Sequence, residues 1–327
     1  MTSLTSLGMP ALPPPTPHPS WKDAWDAALY GPTGFFRRES PAAHFRTSVH
    51  ASPLFAQALV RLTREAGLDT VVDIGAGRGE LLAEIHTLDP GLDLLGVEVA
   101  PRPEGLDRAV GWTTALPEAV DGVIVANEWL DNIPCHLAEV DESGTLRMLH
   151  VDPGTGEESW GSALTHSSVP ATLRDWVERW WPVDRAHPGT RVEIGSSRDT
   201  AWADVVGRLT RGLAVAIDYG HTRTDRPTYG SLRSYRHGRE VEVLPDGSRD
   251  LTAHVAVDSV ADRVGGRVRT QREVLRELGV TGERPNLALA EADPTAYLRR
   301  LSTATEAAEL IDPGGLGDFS WVTSARP

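Results

Sequence analysis

Asp73-Ile74-Gly75-Ala76-Gly77-Arg78-Gly79 sets an acid at the end of an apolar run and three glycines at alternate positions, just before the helix-forming Glu80-Leu81-Leu82. Glycine serves where the backbone must take positive φ, or where no side chain can stand between main chain and ligand. A helix that begins directly after such a turn offers free N–H groups. The dinucleotide fingerprint is GxGxxG with an acid about 20 residues further on. Here the third glycine comes one residue early and an acid precedes the turn. That pattern suits a ligand with a cationic centre and a ribose better than it suits a pyrophosphate. Glu98, closing the second apolar run Leu94-Leu95-Gly96-Val97, stands near the expected distance, and its carboxylate can accept from both ribose hydroxyls. The expectation is that the amides of residues 75–79, Ala76 included, cradle a nucleoside-type cofactor between the carboxylates of Asp73 and Glu98.

A second constellation follows another apolar run. Asn127-Glu128-Trp129-Leu130-Asp131-Asn132-Ile133-Pro134 puts an amide and two carboxylates at what should be the mouth of a sheet. Unpaired burial of such groups is costly, so they need partners. Two carboxylates can grip a planar guanidinium by bidentate hydrogen bonds. They can equally orient an amine or hydroxyl nucleophile and accept its proton. The structural alternative is that Asp131 caps a helix while Glu128 pairs with an arginine. Tyr219 and His221, after a further apolar run, could serve as acid, base or lid, or simply as structure. The arginine-rich segment 223–239 reads as a solvated loop in preference to a dock for an acidic partner. No zinc-ligand spacing, G-x-S-x-G elbow or serine–histidine–acid set is present.

The elements that must position these residues follow from periodicity. Strands are expected at 70–74, 93–99, 122–127 and 212–220, all short continuous apolar runs of the kind covered on both faces of a parallel sheet. A helix is expected at 79–88. Residues 1–20 are proline-rich and read as a tail, and 21–65 as a helical lead-in or lid. The main domain, residues 66–327, contains an inserted substrate subdomain at 131–210, about 80 residues and too long for a plain loop. It should hold a hairpin (135–140 and 145–151) and helices near 168–181 and 197–210. Helices near 254–263, 270–279 and 294–310 and a strand at 319–323 complete the pattern. In open α/β sheets ligands bind outside the carboxyl ends of the strands, where both constellations fall.

Composition narrows the options. The net charge of −14 makes simple electrostatic binding to nucleic acid a poor expectation. One cysteine, Cys135, excludes an internal disulfide, and one lysine, Lys22, excludes a P-loop lysine. No apolar stretch approaches the roughly 20 residues of a membrane span. With no secretory pattern at the N-terminus, a cytoplasmic location is expected.

The ordered blocks resemble a known family. They are Phe45-x-Thr47-Ser48 with Ser52-x-Leu54-Phe55, the Asp73 glycine turn, Asn127-Glu128-x-x-Asp131-x-x-Pro134, and Val192-Glu193-Ile194. Ile217-Asp218-Tyr219-Gly220, Asp250-Leu251-Thr252-Ala253-His254-Val255 and Thr270-Gln271 complete the set. Together they resemble the MidA-like S-adenosylmethionine-dependent methyltransferases over roughly residues 30 to 320. The resemblance implies an α/β, class I (Rossmann-like) seven-stranded sheet with helices on both faces and a large insertion before the fifth strand. It implies S-adenosylmethionine as cofactor, held by Asp73, Gly75, Ala76, Gly77, Gly79, Glu98 and Asn127. Asn127, Glu128 and Asp131 would face the methyl donor or acceptor, with Tyr219 and His254 shaping the pocket. The family's mitochondrial branch, linked to arginine methylation in complex I assembly, suggests a protein arginine as acceptor. A small-molecule O- or N-methyltransferase and a cofactor-binding assembly factor with little turnover are the rivals. Only 28 residues separate Glu98 from Asn127, so the third strand and its helix must be compressed.

Overall fold

The computed structural model describes residues 18–38 and 48–327. The expected tail therefore lies almost wholly outside the described residues, as do Phe45 and Thr47. In chain order the lead-in comprises α1 (Trp21–Tyr30), α2 (Phe35–Arg38), α3 (Ser48–Ala51) and α4 (Pro53–Glu65). Then come β1 (Thr70–Ile74), α5 (Glu80–Leu88), β2 (Asp93–Val97), β3 (Val110–Thr113) and β4 (Val120–Asn127). The next stretch holds β5 (His136–Val140), β6 (Leu146–Val151), β7 (Glu158–Ala163), α6 (Ala171–Trp180), β8 (Arg191–Ile194) and α7 (Ser196–Gly207). It is followed by β9 (Leu209–Asp218), β10 (Gly220–His221), β11 (Arg233–Arg236), β12 (Arg239–Val241), β13 (Asp250–Thr252) and β14 (Val255–Ala256). The chain closes with α8 (Val257–Val264), β15 (Arg267–Thr270), α9 (Gln271–Glu277), α10 (Leu287–Ala292), α11 (Pro294–Leu310) and β16 (Ser320–Arg326).

The central sheet has seven strands in the order β15-β16-β9-β4-β1-β2-β3. Strands β3, β2, β1, β4 and β9 run parallel, and β16 lies antiparallel to both β9 and β15. This is the α/β, Rossmann-like sheet that the sequence led us to expect. Its strands alternate their side chains between two cores, as the two-residue repeat of a strand requires. Val71, Val125, Val215, Ile217 and Trp321 face Phe55, Leu59 and Leu82 on one side. Val72, Ile74, Ile124, Ala126, Ala214 and Ala216 face Trp202, Val205 and Val260 on the other. Helix α7, within the stretch expected as the insertion, thus packs on the central sheet.

Between β4 and β9 stands an antiparallel sheet in the order β7-β6-β5-β8. Trp25 and Leu29 of α1 cover one face through Leu137, Leu149 and Val151. Leu173, Trp176 and Val177 of α6 cover the other through Ala138, Val140 and Val192. The expected hairpin is present, whereas β7 and β8 were not anticipated. Part of the segment expected as a solvated arginine loop instead forms a three-stranded sheet, β12-β11-β13. Arg226 in that segment has a side chain only 4% exposed, ion-paired with Asp258 at 2.5 Å and stacked over Trp181. No helix of the described residues is long and apolar enough to cross a membrane.

Candidate active site

Parallel pairing brings the C-terminal ends of four strands to one edge. Ile74 stands opposite Val97, and Asn127 opposite Ile217. The glycine turn leaves this edge with φ of 73° at Gly75, 57° at Gly77 and 77° at Gly79, a region open to glycine and strained for other residues. Its amides are all engaged within the chain. Those of Gly75 and Ala76 bond the Val97 carbonyl at 2.9 and 3.3 Å, and that of Gly79 bonds Ala76 O at 2.7 Å. The Gly77 amide donates to Glu98 Oε2 and the Arg78 amide to Glu80 Oε2, each at 3.0 Å. In this structure the turn's polar groups thus hold the turn itself. Ala76 itself is buried in the core.

The carboxylates are what remain. Asp73 is 4% exposed, and no donor among the described residues reaches its carboxylate. Burial, and then the nearby Glu98 and Glu80, hold its pKa well above the ordinary carboxylate range. Glu98 accepts from the amides of Gly77, Val99 and Ala100 at 3.0, 2.7 and 3.2 Å. Burial raises its pKa too, against the pull of those three amides. The amide of Asn127 donates to Glu128 Oε1 at 3.3 Å, while its Oδ1 is buried without a partner.

A cleft of about 230 Å³ opens at this edge, lined by Gly75, Glu98 and Glu128, by Trp129, and by Tyr30 and Phe36 from the lead-in. Glu128 has φ of 50°, one of two non-glycine residues among those described with positive φ. Such a conformation costs on the order of 1 kcal/mol or more and persists only where the surroundings enforce it. Here the Ser48 amide grips Glu128 Oε1 at 3.2 Å.

Of the four candidate catalytic residues, the structure brings Glu128 into the cleft lining and gathers Asp131, Tyr219 and His254 into a separate cluster. Asp131 is buried, and its Oδ2 accepts from Thr252 Oγ1 at 2.6 Å and from Tyr219 Oη. Burial raises its pKa, and the Thr252 and Tyr219 hydroxyls oppose the rise. The Tyr219 ring meets the exposed His254 edge-on at 5.1 Å. The two-carboxylate clamp is thus not assembled in the cleft lining. Asp218 accepts the amides of Leu130 and Asp131 at 2.9 and 3.1 Å, so it holds the turn after β4. Arg198, 1% exposed, donates to the carbonyls of Asp131, Ile133 and His254 at 2.7, 3.0 and 2.8 Å. Sequence reasoning missed Arg198, Tyr30 and Phe36, which lie outside the blocks. Trp129 lay within a block, where only its neighbours were singled out.

The topology and the cleft define a Rossmann-like methyltransferase. The family model described as "Putative S-adenosyl-L-methionine-dependent methyltransferase" matches residues 94–274, more than half of the chain. The chain belongs to this family and is an S-adenosylmethionine-dependent methyltransferase. Two crystal structures of a Burkholderia thailandensis protein superpose with a TM-score of 0.74, covering 95% of this chain and 88% of that chain. The one bound to S-adenosyl-homocysteine aligns at 24% identity, and the native one at 25%. No curated protein matches the chain.

Proposed function

We propose that S-adenosylmethionine lies in this cleft and that its methyl group passes to an arginine side chain of a protein. The residues present fit the cofactor: Glu98, in the cleft lining, offers acceptors for ribose hydroxyls, and Asp73 and the unpartnered Oδ1 of Asn127, buried at the ends of β1 and β4 just behind that lining, are the acceptors for a cationic amine. The glycines at 75, 77 and 79 let the main chain pass close by. When bound, the cofactor supplies a methyl group activated by its sulfonium.

One observation carries the choice of acceptor. Glu128 is held at positive φ in a cleft that it lines together with the aromatic pair Tyr30 and Phe36, ring centroids 5.6 Å apart. A carboxylate sharing a cleft with aromatic rings suits a planar cation. The cleft is also smaller than the roughly 300–1,000 Å³ of a drug-sized ligand site. With a nucleoside in place, a cleft this small suits an acceptor that enters by its tip, as a side chain of a larger molecule does. In the transfer the N–CH3 bond forms as the S–CH3 bond breaks, and the nitrogen's proton passes to Glu128 and then to solvent. Asp131, Tyr219 and Thr252 act behind it, keeping the turn after β4 in place.

The test is incubation with deuteromethyl-labelled cofactor and a protein extract, followed by peptide mass spectrometry. Label on arginine that disappears with E128Q, by about 100-fold or more for loss of an acid–base group, supports the reading. Label confined to metabolites or to lysine contradicts it.

A further inference from the structure

Trp129 has no part in the transfer just described, yet its placement is among the most constrained in the cleft. The left-handed backbone of Glu128 turns the chain back over the glycine turn. The indole then lies so close to Gly75 that a Cβ on that glycine would stand 2.7 Å from Cδ1 and 3.2 Å from Cγ. It packs against the core formed by Ile74, Ala126 and Leu130 and is half-buried. Its remaining surface lines the cleft with Glu98 and Glu128. A bulky aromatic is thus fixed against the residue that follows Ile74, the last of β1, and both line the cleft.

We propose that Trp129 is the residue by which this protein distinguishes the sulfonium cofactor from the neutral thioether left after transfer. An aromatic face attracts a cation through its quadrupole, most strongly where water is excluded, and has no such attraction for a neutral sulfur. The carboxylates of Asp73, Glu98 and Glu128 also favour a cation, but they stay in place when Trp129 is changed. The indole therefore adds a separable preference that helps the product leave. The inference rests on the reading of the cleft as the cofactor site.

Calorimetric titration of the full chain with S-adenosylmethionine and S-adenosyl-homocysteine tests it. W129F keeps the ratio of the two dissociation constants. W129L weakens the sulfonium form by about five- to thirty-fold while the thioether changes much less. Should W129L fail to fold, uniform fluorotryptophan labelling gives the same answer without changing shape. Fluorination weakens S-adenosylmethionine binding alone, and has no effect in W129F. Equal losses for both nucleosides, or no loss for either, overturn the proposal. If the unaltered protein binds neither, the reading of the cleft fails and takes the proposal with it.

Discussion

Among single residues, Asp73 shows the conflict between stability and function most clearly. A buried carboxylate with no donor destabilises the fold unless a ligand completes it. D73N should stabilise the ligand-free protein by about 1–3 kcal/mol, the usual cost of an unsatisfied buried group. It should weaken S-adenosylmethionine binding at the same time. The pH dependence has a definite sign. The folded pKa of Asp73 is raised, so the folded chain keeps a proton that the unfolded chain releases above about pH 3.9. Its contribution to stability is therefore best at low pH and declines as pH rises through the window up to the raised value. Thermal melts of D73N and the unaltered protein should diverge as pH rises through that window, and parallel curves would refute the assignment. Asp73 and the glycines were legible in the sequence because spacing alone marks a strand–turn–helix. That the turn's amides bond Val97 and Glu98 was not, because those partners depend on tertiary register.

At the scale of elements, the site depends on how the segment after β4 is fixed. Arg198 on α7 donates to three carbonyls of that segment and of the β13–β14 turn, and stacks 5.7 Å from the Trp25 ring of α1. R198M leaves the carbonyls of Ile133 and His254 without their arginine donor, while that of Asp131 keeps the Ala253 amide. It should cost on the order of 2–5 kcal/mol, about 1–3 kcal/mol for each buried acceptor left unmade. Denaturant titration reads this directly, and a change under 1 kcal/mol would show the clamp to be dispensable. Strands β1, β2, β4 and β9 were readable because each is an apolar run covered on both faces. Strand β3 was not, since Val110-Gly111-Trp112-Thr113 is short and glycine-containing. The helix that could have introduced it is replaced by a loop stapled by Arg102 to the carbonyls of Val110, Leu106 and Asp107. Strand β7, Glu158 to Ala163, was equally opaque because its exposed positions show no apolar pattern.

Across the whole molecule, blocks far apart in sequence meet at Glu128. Gln271 at the start of α9 is fully buried, donating to Ser48 Oγ at 3.2 Å and Leu310 O at 3.1 Å and accepting from Trp321 Nε1 at 3.3 Å. Ser48 in turn holds the Glu128 carboxylate. The sequence marked Ser48 and Thr270-Gln271 only through resemblance, and the geometry supplies the reason they matter. Q271L should lower the melting temperature and slow methyl transfer while leaving S-adenosyl-homocysteine affinity nearly unchanged, and an unaltered transfer rate would break this link. Adding cofactor at a hundredfold excess over Kd should stabilise the fold by about 2.7 kcal/mol. The most direct test of the whole account is a crystal structure with S-adenosyl-homocysteine bound. It should show the ribose on Glu98, the amino-acid end near Asp73 and Asn127, and the sulfur beside Trp129 facing Glu128. A nucleoside seated elsewhere, or with its sulfur turned away from Glu128, would contradict it.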